Sequence, residues 1–239
     1  MLRADLHIHT IASGHAYCTI LESVAHASSI GVEVVAITDH GPSMEGAPHV
    51  GYFANMARIP REMQGVKLFM GCEANVVDFS GNIDLSEGVI GGLDVVLVGL
   101  HKFTPYPEGS SMADNTRALI GAMTNNLIHI VSHPYRLDFP VDITELATAA
   151  CGQGVLLELN LSLLKLFGKN EKLINQINLM IEAADKLGTK IVISSDAHIA
   201  TEIGDDSVLS DLCIQLPKEL VLGGQNGYDE IKKFLASRG

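Results

Sequence analysis

Apolar positions along the chain follow two alternating rhythms. Short runs rich in Val, Ile and Leu occupy residues 2–10, 34–40, 66–77, 94–101, 128–133, 155–161 and 190–198. Their near-continuous hydrophobicity is that of strands buried on both faces. Between most of them lie stretches with helical spacing, at residues 21–30, 114–125, 142–151 and 171–187. The last carries Leu173, Ile174, Ile177, Ile181 and Ala184 on one stripe, and Gly188 follows where a C-terminal glycine cap belongs. The glycine-rich segment 80–92 gives no clear helical signal, and two short helical stretches at 206–214 and 228–237 close the chain. Strands alternating with helices predict parallel strands joined by right-handed crossovers. An open doubly wound sheet and a closed β/α barrel both satisfy the pattern. No Pro- or Ser-rich linker and no tandem repeat divides it, so residues 1–239 read as one domain.

The polar residues at the ends of these runs change the picture. His7 and His9 end the first run, His40 the second, Glu73 follows the apolar LFMGC of the third, His101 ends the fourth, His133 the fifth, and Asp196 and His198 the seventh. In a β/α barrel the C-terminal strand ends converge on one mouth, the usual active site. Side chains two apart on a strand share a face. That rule puts His7, His9 and Asp5 inward and Leu6 and Ile8 outward, with Asp5 placed to orient a ligand histidine. His15, in the loop after the first run, can fold over the same mouth. The nine candidates exceed one tetrahedral zinc site and suit two or three metals with a bridging carboxylate. A lone buried histidine is more often a satisfied core residue than a ligand; the recurrence at strand ends is what carries weight. His129 sits four residues before His133, about 13 Å down an extended strand, and is expected not to be a ligand. His26 falls on a helix. His49, in a loop, can reach substrate, as can Lys102 and Arg136 beside two strand ends and Asn160 on the sixth run.

Composition narrows the function. The chain has 239 residues, 47% of them apolar, with a formal net charge of −12. Such a surface repels nucleic acid, and no Lys/Arg cluster overrides it. The four cysteines form no CxxC pair and read as reduced thiols. No signal-peptide pattern and no run of about 20 apolar residues is present, so a soluble cytoplasmic protein is expected, with no membrane partner. A homo-oligomer remains open.

The motifs DLHIHT, ITDHG, GCEAN, the strand-ending His101, SHP and SSDAH, with His15 between the first two, run in order from residue 5 to residue 198. Together they resemble the PHP (polymerase and histidinol phosphatase) family, and the chain is similar to its small stand-alone bacterial phosphatases. The resemblance implies an α/β fold, a distorted seven-stranded (β/α)7 TIM-like barrel, with a trinuclear metal centre. Carried over residue by residue, His7, His9, Glu73 and Asp196 would hold one metal. Glu73 would bridge to a second held by His101 and His133, and His15, His40 and His198 would hold a third. Zinc is implied, with manganese or iron compatible with the same N/O donors.

Three divalent ions against Glu73 and Asp196 would leave about +4 in the mouth, which would draw a phosphate dianion into an acidic protein. The expected reaction is hydrolysis of a small phosphomonoester by a metal-bridging hydroxide whose position Glu73 sets. The polar pocket expected of family phosphatases after the sixth run is replaced here by the apolar ELNLSLL. Two other readings stand beside this one. Amidohydrolase-like C–N hydrolysis also uses HxH on the first strand. A non-catalytic metal-binding module, as in polymerase-attached domains, is disfavoured by retention of all nine ligands and by the lack of an attached polymerase segment.

Overall fold

In the computed structural model, residues 2–223 and 227–238 are described. The elements run β1 (Ala4–Ile8), α1 (Ile20–Ile30), β2 (Val34–Ile37), α2 (Val50–Ala54), β3 (Glu62–Met63), β4 (Val66–Asn75), α3 (Glu87–Ile90) and β5 (Val95–Gly99). There follow α4 (Met112–Met123), β6 (Ile130–Val131), α5 (Ile143–Gln153), β7 (Leu156–Asn160), α6 (Leu161–Phe167), α7 (Glu171–Leu187), β8 (Ile191–Ser194), α8 (Ser207–Asp211) and α9 (Gly227–Ala236). All seven expected strands form, paired in parallel in the order β1-β2-β4-β5-β6-β7-β8. A parallel bridge from Ile8 to Ala197 brings the last strand back to the first, so the sheet is a nearly closed barrel and not an open one. The additional β3 is a two-residue hairpin arm on β4.

Helix ends follow local chemistry. Thr19 and Glu22 form a reciprocal capping box at the start of α1, and Asp142 caps α5 through the N–H groups of Thr144 and Glu145. Left-handed glycines at 31, 154 and 188 end α1, α5 and α7. The sixth run departs from expectation. Its strand stops at Asn160, whose side chain accepts from the Leu163 N–H and starts α6 at once. The strand thus ends one residue before the expected Leu161, and LSLL forms the first turn of the helix that Asn160 caps.

Two cores result. The larger lies between the sheet and the helices. The smaller fills the barrel with Leu6, Val34, Ala36, Phe69, Val95, Leu97, Ile130, Leu156 and Val192, closed below by Ile231 and Leu235 of α9. Leu6 thus points inward, contrary to the strict alternation expected. The ladder explains it: Asp5 pairs with Val35 but Ile8 pairs with Ile37, so β1 carries one extra residue. This bulge turns both Leu6 and His7 to the interior, one as packing and one toward the mouth.

His129 lies at the opposite end from the mouth, as expected. Its Nδ1 accepts the Val96 N–H at 3.1 Å, and its ring lies against Phe234. Burial, with help from Arg238, pushes its pKa down to about 4. The unfolded chain therefore takes up a proton here that the folded chain refuses, and stability falls as pH drops from about 6.5 to about 4. Between pH 7 and pH 5 this one site should cost about 2 kcal/mol. Urea titrations of metal-free wild type and His129→Gln at the two pH values should show that much less pH dependence in the variant; equal dependence would remove His129 as the cause.

Candidate metal centre

The strand ends bring eight of the nine candidates into one cluster, and His15 closes it from the loop above. Glu73 is at the centre and fully buried. Its Oε1 lies 3.1 Å from His101 Nε2 and 2.8 Å from His133 Nε2. Its Oε2 lies 3.2 Å from His7 Nε2, 3.4 Å from His9 Nε2 and 2.9 Å from His40 Nδ1. Asp196 Oδ1 completes the first group, 3.5 Å from His7 Nε2 and 3.1 Å from His9 Nε2, while the two imidazole nitrogens are 3.0 Å apart.

These spacings test whether a metal fits. Four donors at about 2.05 Å from a tetrahedral zinc stand about 3.3 Å from one another. Five of the six edges among His7, His9, Glu73 and Asp196 fall between 3.0 and 3.5 Å. Glu73 Oε1, His101 and His133 make a triangle whose third edge is 3.3 Å, open on one side. The third group is built of imidazoles. His9, His40 and His198 offer donor atoms within 4.8 Å of one another. The His15 ring centroid is 5.1 Å from those of both His40 and His198. His40 Nδ1 and Glu73 Oε2 are buried with no hydrogen bond to any partner, though only 2.9 Å apart. Orphaned buried atoms of this kind are what a cation would satisfy.

The tautomers point the same way. His7 Nδ1 faces Glu158 Oε1 at 2.7 Å, and a carboxylate only accepts. His9 Nδ1 meets Ser13 Oγ at 3.0 Å, and that hydroxyl donates onward to Asp39. His101 Nδ1 meets Asn75 Oδ1 at 2.8 Å, while the Asn75 amide donates to Asp84. His198 Nδ1 donates to the Asp196 carbonyl. Each Nδ1 is thus a donor, and each Nε2 lone pair is left for the cluster. Without a cation, protons take its place. Burial alone would lower the pKa of His7 and His9, yet Glu158, Glu73 and Asp196 outweigh it; His7 rises well above its usual value and His9 to about 9. Burial would raise Glu73, but His101, His7, His40 and His133 hold it well below the usual carboxylate range.

Local backbone serves the same geometry. His133 and Asp196 have φ of 31° and 55°, in the left-handed region that His and Asp enter more readily than most side chains. Asp196 and His198 lie beyond the end of β8, so a left-handed turn and not simple alternation returns Asp196 to the cluster. Gly14 packs on Gly46, where an added Cβ would meet the Gly46 carbonyl oxygen at 2.5 Å; this close approach joins the loops carrying His15 and His40. At Gly99 an added Cβ would strike the His101 ring and Ser132 Oγ.

Other expected roles change. Asp5 does not back a ligand. It lies outside the barrel because of the bulge, and accepts the N–H groups of Ser195 and Gly204. Glu158 takes that place, also accepting the His133 N–H and the Asn160 amide. Asn160 is inward, but its amide is spent on Glu158, Asp196 and the α6 cap, which leaves it out of the mouth cavity. His49 caps α2 through Gly51 N and lies outside the cavity lining. Lys102 and Arg136 do line the cavity, which measures about 450 Å³. Both are paired with Asp138. Sequence reasoning missed Glu158, Asp39 and Asp84. A lone Glu in the apolar VLLELN was a signal for the first; Asp84, in a loop, gave none.

A barrel with its strand-end carboxylates and imidazoles gathered at one mouth defines a class of metal-dependent hydrolase. The PHP domain model matches residues 5–174, and the chain belongs to the PHP family, in its phosphatase class. The match ends before Asp196 and His198. A probable phosphatase of Clostridium acetobutylicum is 35% identical over 237 residues, covering 98% of this chain and 95% of its own. One of Proteus mirabilis is 39% identical over 226 residues, covering 93% and 90%. Among solved structures, histidinol phosphate phosphatase from Lactococcus lactis, complexed with zinc, L-histidinol and phosphate, has a TM-score of 0.60 at 15% identity, over 98% of this chain and 94% of that one. No helix among the described residues is long and apolar enough to cross a membrane.

Two measurements check this site. Zinc binding should release protons from His7 and His9 at neutral pH, so calorimetric heats should change with the ionisation enthalpy of the buffer; identical heats in all buffers would refute it. Glu158→Gln should weaken zinc binding about 10- to 100-fold in competition with a chromophoric chelator, with the far-UV spectrum unchanged.

Proposed function

We propose that the protein hydrolyses a small phosphomonoester at a three-metal centre, as one domain. The observation that carries this reading is the division of Glu73: one carboxylate oxygen faces His101 and His133, the other faces His7, His9 and His40. In this reading His7, His9, Glu73 and Asp196 hold the first ion, Glu73, His101 and His133 the second, and His15, His40 and His198 the third. Zinc suits the donor set and accompanies the Lactococcus lactis phosphatase; manganese and iron take the same donors. When bound, divalent ions supply positive charge for the phosphoryl oxygens and lower the pKa of a coordinated water.

The residues do the rest. Glu73 fixes the spacing of the two donor groups through one rigid carboxylate. Glu158, Ser13 and Asn75 hold the rings of His7, His9 and His101 so that their Nε2 atoms stay aimed. The buried Glu158 and Asp39 and the half-buried Asp84 lower the pocket's formal charge from about +4 to about +1, still positive toward a dianion. Lys102 and Arg136 line the entrance, where Asp138 pairs with both and holds the Arg136 guanidinium through two hydrogen bonds. The amidohydrolase-like reading has less support, because relatives of 35% and 39% identity carry the name probable phosphatase.

Turnover of p-nitrophenyl phosphate should vanish on chelation and return with zinc, manganese or iron. Glu73→Gln should lower kcat at least about 1,000-fold while leaving the fold intact. Full activity in that variant, or activity only on amides and cyclic imides, would overturn the proposal.

A further inference from the structure

Phe103 stands at the metal mouth in a conformation that its own chain disfavours. The loop after β5 turns sharply at His101–Thr104, where Thr104 Oγ donates to the His101 carbonyl at 2.8 Å. Phe103 occupies the third position of this turn with φ of 60°. That position suits Gly or Asn, and a bulky side chain there is a true outlier. The ring gains little in return. It is 71% exposed and stacks on no other ring among the described residues. Yet it lines the same cavity as Glu73, His101 and His133.

The loop holding it is rigid. On one side it begins at His101, fixed by Asn75 and Glu73. On the other it is anchored by Tyr106, whose ring is buried edge-on against Phe79 and Phe139 and whose hydroxyl donates to Asn115. A strained and exposed aromatic ring on a fixed loop beside a reaction centre is a feature kept for a ligand. The cavity has room for one: about 450 Å³ exceeds what a phosphoryl group fills.

Charge says what kind. Outside the metal cluster, the charged lining is Lys102, Arg136 and Glu45, and Asp138 is paired with both cations. Positive and negative groups balance, so this part of the wall makes no seat for a second phosphate. The remaining surface is the Phe103 ring with Met44.

We propose that Phe103 is a specificity-determining residue, a platform on which a flat, uncharged aromatic leaving group stacks while its phosphate meets the metal centre. The substrate class is thus the monophosphate ester of an aromatic or heteroaromatic alcohol. This rests on the phosphatase reading above and deepens it.

The test compares benzyl, cyclohexylmethyl and propyl phosphate on zinc-loaded enzyme, in wild type, Phe103→Asn and Phe103→Leu. Asn tolerates the left-handed turn and Leu keeps the apolar bulk without the ring face. Wild type should favour benzyl over cyclohexylmethyl phosphate by about 2- to 10-fold in kcat/KM. Both variants should lose that preference, through KM, with a smaller loss of kcat/KM on propyl than on benzyl phosphate and Tm of Phe103→Asn no lower than wild type. Equal rates for benzyl and cyclohexylmethyl phosphate in wild type, or an equal loss on propyl phosphate in the variants, would overturn the proposal. Binding of benzylphosphonate and propylphosphonate separates the two levels. If none of the esters turns over but benzylphosphonate still binds more tightly in a Phe103-dependent way, the ring seat stands and the hydrolytic reading fails. If neither preference is seen in binding, the ring seat fails whatever the activity.

Discussion

A fully buried carboxylate is costly unless cations or donors surround it, and Glu73 is the charge around which this barrel is arranged. Its two oxygens face separate sets of imidazoles, five rings delivered by four strand ends. Neither set has a reason to be there without it. The converging Nε2 lone pairs would repel one another, and the carboxylate would lack compensation. With protons or metal ions between them, the same atoms become mutually stabilising. The seven-strand closure matters because it alone brings residues from opposite ends of the chain to that one oxygen pair.

The surrounding polar network holds this arrangement in place. Glu158, Asp39 and Asp84 each stand behind a different histidine of the cluster, directly or through Ser13 or Asn75. Each contact fixes a tautomer and a ring angle, and each acid adds negative charge that would offset part of the charge of bound divalent ions. Asp39 is further tied to Thr10 and to the Tyr52 hydroxyl, whose pKa burial and that carboxylate push far above the ordinary phenol value. Left-handed backbone at His133 and Asp196 serves the same arrangement, since His and Asp enter that region more readily than most residues and the turn at Asp196 returns its side chain to the cluster. The overall charge of −12 is then no obstacle to an anionic substrate, since the field at the mouth is set by groups a few ångströms away and not by the distant surface.

Much of this was legible in the residues themselves. Seven apolar runs, each followed by a helix or loop, defined the strand count, and imidazoles or carboxylates at their ends marked the mouth. Those signals survive because they are local: a strand's burial and its last residue are written in consecutive positions. The placement of His129 away from the centre followed from strand rise alone. Asp5 and Leu6 were misplaced for one definable reason. Alternation assigns a face only while the ladder is regular, and the extra residue in β1 reverses the faces of Asp5 and Leu6. Asn160 points inward as read, but a helix cap and two acids consume its amide.

The amino-acid sequence by itself determined the element order, the barrel's strands and the identity of the metal-competent side chains, because hydrophobic period and residue chemistry are properties of short segments. Only the tertiary structure decided that the sheet closes, which acid stands behind which histidine, and that Glu73 divides its oxygens between two groups. His7 and Glu158 are 151 residues apart, and their 2.7 Å contact exists because closure of the barrel brings β1 back beside β8, one strand away from β7. No periodicity encodes a pairing across that distance. It follows from strand order, register and one bulge, which are settled together when the chain packs.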